Sequence, residues 1–471
     1  MKKLSATACA GLLLVAAGCQ VNQQRDVAEY RKILDRNIAP TTAPAANEPL
    51  TLARAMALAN QTDEQLGLSG EDYVQALIQK NRAVAAFLPT VSLQPGFTLG
   101  DRPSVNNPGG NPSGINTGFR VHGDTIHRLE VPVVGNINVF RGFGDIANLH
   151  AVEAVIAQRR ELLLDLQATI LVNVAQTYYQ VLRSEAAVGV LEHSVQLQQD
   201  RLTEVEQQFR NGLATRLAVA QTRSELDATR VTLIQAQSDV RNGRSTLALL
   251  IGMAAVPNPL IDGYVVPANV GVEEVFEQLA VQNRQDLIAA ASGLEAARRE
   301  VDVAISEYYP SVSLDVNGFL YREFYADASK WNALLSANLP IFSAGLIEAD
   351  VRTAWSRLRQ AALNESSVRR DVLHDVQVAY ENLQTSRLRL RELADEVDAS
   401  QESYNQALQA FRAGLATNLD AVAAQDSLLN AQLQLTGVQF DQTVFYLDLI
   451  RATGGLPLQA TFPATAPASQ P

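Results

Sequence analysis

Two long stretches of the chain, 144–210 and 346–412, lack proline altogether and repeat apolar residues at heptad-like spacing. Leu166, Ile170, Val174, Val181, Val188, Leu191 and Val195 mark the stripe in the first, and Val368, Val372, Val376, Leu383, Leu390, Leu393 and Val397 mark it in the second. Such a stripe, set among Ala, Gln, Arg and Glu, predicts an unbroken helix. At 1.5 Å per residue each run would extend about 100 Å, more than a compact globule needs. Upstream of each run the period changes to two. Val91, Leu93, Phe97 and Leu99 alternate with Thr90, Ser92, Gln94 and Thr98, and Val312, Leu314 and Val316 alternate with Ser311, Ser313, Asp315 and Asn317. The returning segments alternate too: Leu129, Val131 and Val133 against Arg128 and Glu130, then Leu335, Ala337, Leu339 and Ile341 against Ser336 and Asn338. Four strands of about ten residues follow, a length that crosses a bilayer when tilted.

The patterns recur at a constant interval. FRNGLATRL at 209–217 and FRAGLATNL at 411–419 are offset by 202 positions, as are Phe140 and Phe342, Tyr178 and Tyr380, and Gly252 and Gly454. LPTVSL at 88–93 and YPSVSL at 309–314 are offset by 221, so the first half carries the longer segment between its strands, where DRPSVNNPGGNPSGINTG at 101–118 has loop composition. Each half reads as a helix (50–88, then 271–308), two strands, a very long helix and a shorter one. In each FRxGLATxL stretch the glycine, Gly212 or Gly414, suits a left-handed helix end, and the threonine, Thr215 or Thr417, suits the start of the next helix. Each stretch therefore predicts a tight helix-to-helix turn.

The strands also constrain assembly. A sheet in a bilayer cannot leave its edges unpaired, and four strands are too few to close a barrel. Two copies would pool eight strands and three copies twelve, and only the larger number leaves a comfortable water-filled bore. A homotrimer is the expected assembly. Tyr321, Phe324, Tyr325 and Trp331 gather near one hairpin tip, where an interfacial aromatic girdle would lie.

The start has the layout of an export signal: basic Lys2 and Lys3, apolar Gly11–Ala17, then Gly18-Cys19. AAGC at 16–19 resembles a bacterial lipoprotein signal, with Cys19 as the lipidated residue and Gln20 after it. Cys9 would leave with the signal, so the mature chain would hold one cysteine and no disulfide. The expected domains are a signal peptide at 1–18, a lipidated tether at 19–49, a first structural repeat at 50–270, a second at 271–455 and a disordered tail at 456–471. Stability must come from packing, for which 47 % apolar residues are ample. No stretch of 18 or more apolar residues follows the start, which argues against helical membrane spans. The formal charge of −12 makes nucleic acid an improbable partner. His122, His127, His150, His193 and His374 lack ligand spacing, and no phosphate loop, GxSxG or CxxC is present. Neither an enzyme, a metal nor a cofactor is expected, apart from the covalent lipid on Cys19.

In this order the elements resemble the TolC-like outer-membrane factors, the outer membrane efflux proteins, in their lipoprotein branch (the NodT and OprM kind). The resemblance rests on AAGC at 16–19, FLPTVSL at 87–93, YYPSVSL at 308–314, LPIFSAG at 339–345, AQTYYQVL at 175–182, VAYENL at 378–383, both FRxGLATxL turns and LDAVAAQ at 419–425. It covers nearly all of 50–455. It implies a mixed fold: a long α-helical coiled-coil barrel continuous with a transmembrane β-barrel shared between protomers, four strands per chain, with a two-fold internal repeat. It implies a passive exit duct of a tripartite efflux or secretion system, opened by a periplasmic adaptor and driven by an inner-membrane transporter. Gly212, Leu213, Thr215, Gly414, Leu415 and Thr417 would then be the adaptor-docking tips. Asp420 matches an acidic tunnel-aperture position and also stands where a helix-capping acid would. The second acidic position is Ala423 here and the first-half counterpart of Asp420 is Ala218, so the aperture would be less acidic than in the family pattern. A periplasmic coiled-coil adaptor or structural lipoprotein without a pore is the competing reading. Two full repeats, each with membrane-length strands, speak against it.

Overall fold

In the computed structural model of the chain, residues 23–36, 38, 40–45, 48–101, 125–322 and 330–456 are described. Cys19, the signal segment, Phe324, Tyr325, most of the 101–118 loop and the tail beyond 456 lie outside them. The elements in order are α1 (Gln23–Leu34), α2 (Leu52–Thr62), α3 (Glu64–Ala85), β1 (Thr90–Leu93), β2 (Gly96–Asp101), β3 (Thr125–Arg141), α4 (Gly144–Arg210), α5 (Arg216–Leu250), α6 (Glu273–Asn283), α7 (Gln285–Ser306), β4 (Ser311–Arg322), β5 (Trp331–Asn338), α8 (Leu346–Arg412) and α9 (Asn418–Ala452). Helices α2, α3, α4 and α5 have 11, 22, 67 and 35 residues, and α6, α7, α8 and α9 have 11, 22, 67 and 35 again. No described helix is long and apolar enough to cross a membrane.

The opening helix expected over 50–88 is two helices, and so is that over 271–308. The breaks fall at Asp63 (φ −69°, ψ 123°) and Arg284 (φ −69°, ψ 120°), each one extended residue. At the first, the Asp63 carboxylate accepts the Leu66 amide at 3.0 Å and starts α3. At the second, the largely buried Arg284 donates to Asp286 and, at 2.7 Å, to Asp375.

The chain falls into two compact units. One comprises the described parts of the segments up to 75, 157–291 and from 363 onward. Its core joins Leu34 of α1, Met56 of α2, Leu171, Val174 and Tyr178 of α4, Leu247 of α5, Phe276 of α6, Val372 and Val376 of α8, and Tyr446 of α9. Within the expected tether, α1 buries Tyr30 and Leu34 against this core. Gln167 of α4 holds its end, donating 2.8 Å to the Leu34 carbonyl and 2.7 Å to Asn60. Tyr178 is wholly buried; its hydroxyl lies 2.7 Å from the Leu50 carbonyl and accepts the Ile261 amide at 2.9 Å. That hydroxyl pins the loop after α5 to the segment before α2, where Leu50 and Leu260 form a parallel bridge. Burial pushes the phenol up to about 12, so it stays neutral.

The second unit comprises 76–156 and 292–362 and carries the sheet. The order is β1-β3-β4-β5, with β2 also pairing β3, all antiparallel. β1 and β2 share one strand position, parted at Pro95. Opposite that break lies Pro132, where the β3–β4 register also shifts; neither proline has an amide to give the ladder. The strands are less uniform than the expected ten residues: β3 has 17, and β5 ends at Asn338, ahead of Pro340.

Paired residues share a face, so the register sorts the sheet. One face carries the rows Leu93–Val133–Gly318–Trp331, Val91–Gly135–Val316–Ala333 and Ile137–Leu314–Leu335. The other carries Ser92–Val134–Asn317–Asn332, Thr90–Asn136–Asp315–Leu334 and Asn138–Ser313–Ser336. Asn136 donates to Asp315 at 2.5 Å and the Ser313 and Ser336 hydroxyls meet at 2.9 Å, knitting the polar face. The apolar face is bare in the single chain: Val91 is 71 % exposed, Trp331 and Leu335 66 % each. Among the described residues β1 and β2 pair only with β3, and β5 only with β4, so both edges of the sheet are open.

Replacing Tyr178 by Phe leaves the buried Leu50 carbonyl and the part-buried Ile261 amide without their partner. The expected cost is about 1–3 kcal/mol, read as a lower unfolding midpoint of the detergent-solubilised protein.

Candidate functional site

The two helix-to-helix turns lie in the first unit. Gly212 and Gly414 both adopt φ +74°, the left-handed conformation a side chain resists. In the first turn Leu213 N–H bonds Gln208 O at 2.8 Å and Gly212 N–H bonds Phe209 O at 3.0 Å; in the second Leu415 bonds Ala410 at 2.8 Å and Gly414 bonds Phe411 at 2.9 Å. These are the paired closing bonds of a Schellman end. Two residues after each glycine-leucine pair the next helix starts. Thr215 Oγ1 accepts the Ala218 amide at 3.1 Å and Thr417 Oγ1 accepts the Asp420 amide at 3.3 Å. Capping so close to the turn leaves the leucine between them no interior to enter, and Leu213 and Leu415 are 79 % and 84 % exposed.

The turns differ at one point. The Asp420 carboxylate accepts the Thr417 amide at 2.8 Å and its hydroxyl at 2.7 Å, completing a reciprocal capping box. These hydrogen bonds hold the Asp420 pKa below the usual carboxylate range. Ala218 occupies that position in the first turn and cannot reciprocate. The capping expectation for Asp420 thus has its geometry.

Behind the turns lies a group of polar side chains that the sequence reading did not single out. Asn418, buried at the start of α9, accepts from Arg201 of α4 at 3.1 Å and donates to the Ala218 carbonyl at 3.3 Å and to Thr222 at 3.2 Å, both on α5. Arg201 is itself buried, with Phe411's ring centre 5.0 Å from its guanidinium carbon; burial lowers its pKa. Two of its nitrogens, both amide atoms of buried Gln198 and the amide nitrogen of buried Gln425 have no hydrogen-bond partner among the described residues. Each such group costs about 1–3 kcal/mol when dry. At the surface Arg412 forks onto Glu204 at 2.8 and 2.9 Å, linking α8 to α4, and Arg223 bonds Glu206 at 3.0 Å. On α5, burial, and next the neighbouring Asp426 of α9, raise the Glu225 carboxyl to about 7. One signal could have found this group: Thr222, Thr229 and Gln425 interrupt the apolar stripe at core spacing, and all three are buried.

Paired helical hairpins of equal length and a short sheet with one apolar and one polar face define the fold. The structure superposes on the outer membrane protein VceC of Vibrio cholerae with a TM-score of 0.75 at 21 % identity, covering 86 % of this chain and 96 % of VceC, and so has the same fold. The family model described as outer membrane efflux protein matches residues 71–253 and 277–455, and the chain belongs to that family. Among its relatives, the probable efflux pump outer membrane protein TtgC of Pseudomonas putida is 27 % identical over 310 residues, 61 % of each chain. The cation efflux system protein CusC of Escherichia coli is 25 % identical over 302 residues, 60 % of this chain and 63 % of CusC. The match thus spans about three-fifths of the length of these relatives.

Substituting Thr417 by Ala removes a reciprocal cap, and substituting Thr215 by Ala a single one. Loss of about 1 kcal/mol or more is expected at Thr417 and less at Thr215. Amide exchange in the first turns of α9 and α5 measures both. Equal acceleration at the two sites would show that the Asp420 carboxylate adds nothing.

Proposed function

We propose that the chain is the outer-membrane exit duct of a tripartite efflux system, acting as a homotrimer. Three chains with four strand positions each close a twelve-stranded barrel, whose apolar rows face lipid and whose polar rows line the bore. Cys19 carries the lipid that anchors each chain. The two halves are repeats of one unit, each ending in a turn, and a periplasmic adaptor grips the exposed turns through Leu213 and Leu415 beside Gly212, Thr215, Gly414 and Thr417. An inner-membrane transporter supplies the energy. Asp420 lies at the tunnel aperture while capping α9.

The observation that carries this reading is the sheet: two sorted faces and two open edges make sense only where partner strands close it and lipid covers it. The matching helix lengths of the two halves support the repeat. The names of TtgC and CusC supply the efflux setting, and the exposed leucines of two near-identical turns supply a surface for a partner. No group in this account performs chemistry on the cargo; the chain is a conduit.

A net charge of −12 raises the concentration of cations in the bore. The purified protein in planar bilayers is expected to pass stepwise currents whose reversal potential in a salt gradient shows cation preference. Anion preference, or no current from correctly inserted protein, would contradict the reading.

A further inference from the structure

A second group of charged side chains lies in the unit that carries the sheet, away from the turns. The polar face of the sheet ends in the row Arg141–Ser311–Asn338. Beyond that row a cavity of about 410 Å³ opens between the strand ends, the start of α4 and the end of α7. Its walls bring together Arg141 and Asp145 on either side of the β3–α4 turn, Asn148 one turn further along α4, and Glu307 and Tyr309 just after α7. A cavity of this size accommodates a small organic molecule and is too large for a bare metal ion.

The wall is tightly built where backbone forms it. Gly142 (φ +58°) and Gly144 press on Ser306 at the end of α7 so closely that a β-carbon on either would run into it. The Ser306 hydroxyl turns back onto the Val303 carbonyl at 2.6 Å. The side chains, in contrast, carry a surplus of negative charge. Arg141 meets Asp145 at 3.4 Å, a long ion pair, and among the described residues nothing bonds the Glu307 carboxylate. Two residues on, Tyr309 is 52 % exposed.

The proposed internal repeat supplies a comparison. Both strand-to-helix turns have the same backbone: Gly142 and Phe143 stand at φ +58° and +65°, Ala344 and Gly345 at +51° and +84°. At the offset of 202, Arg141 and Asp145 correspond to Ser343 and Ile347; at the offset of 221, Glu307 and Tyr309 correspond to Ala86 and Leu88. The turn thus folds without the charged set, and packing does not call for it.

We propose that this cavity binds a drug-sized organic cation: Glu307 pairs with its positive charge, the Tyr309 ring lies against its flat body, and Asn148 and Arg141 bond its polar substituents. A carboxylate with no partner in the chain gains a charge-assisted bond from such a ligand, and an aromatic face attracts the same charge through its quadrupole. The binding site stands on the cavity alone. That its ligand is passing cargo rests on the duct reading, in which the polar face of the sheet lines the bore.

The test titrates the full chain in dodecyl maltoside with ethidium, a flat aromatic cation bearing amino groups, and follows the dye fluorescence. Saturable binding at one site per chain is expected. Glu307 is exposed, so Glu307→Gln leaves the fold intact while removing the charge, and it should weaken binding about tenfold. Tyr309→Leu installs the residue of the other half and should weaken binding by about threefold or more. Glu274→Gln, at an exposed position of α6 in the other unit, should leave it unchanged. No saturable binding, or binding that Glu307→Gln and Tyr309→Leu leave unaltered, overturns the proposal. Current through the same samples is a separate readout: Glu307-dependent binding in a protein that passes no current upholds the site and defeats the duct, whereas current without such binding does the reverse.

Discussion

Backbone hydrogen bonding at the edges of one small sheet constrains everything else. β3 and β4 have partner strands on both sides, whereas among the described residues β1 and β2 pair only with β3, and β5 only with β4. In water such edges would be hydrated and the bare Val91, Trp331 and Leu335 would invite aggregation. In lipid the apolar row is at home but the edges cannot stay open, since an unpaired amide in hydrocarbon costs several kcal/mol. In the proposed trimeric barrel, strands from other copies would resolve both demands, and the polar rows around Asn136, Asp315, Ser313 and Ser336 would face a shared interior.

The helical unit solves a different problem. Its core concentrates around Tyr178, Met56, Val376 and Tyr446, where α1, α2 and α6 wrap the long helices and lock loops by buried hydrogen bonds. Towards the turns the packing changes character: apolar burial gives way to Asn418, Thr222, Arg201 and the Glu225–Asp426 pair. Strong packing at one level and a hydrogen-bonded seam at another divide the unit into a part that must not move and a part that can.

Much of this was legible from the sequence. The bounds 144–210 and 346–412 are those of α4 and α8, because a proline-free stripe that stops at a glycine leaves little choice. Gly212, Thr215, Gly414 and Thr417 disclosed their turns for the same reason: the residue types are those the backbone conformation demands. The breaks at Asp63 and Arg284 were hidden, since a single extended residue needs no glycine or proline. Helix α1 was hidden by its polar composition; only Tyr30, Leu34 and a few neighbours mark its buried side. The seam was hidden because Asn, Thr, Gln and Glu at core spacing resemble a solvated face until a second helix is placed against them. The adaptor-docking role of the turns and the lipid on Cys19 rest on resemblance.

The most direct measurement is native mass spectrometry of the protein extracted from outer membranes into detergent. The account predicts a complex of three chains, each heavier by the lipid on Cys19. A single unlipidated chain that remains soluble and folded would contradict it, because its sheet edges and apolar face would then need no partner.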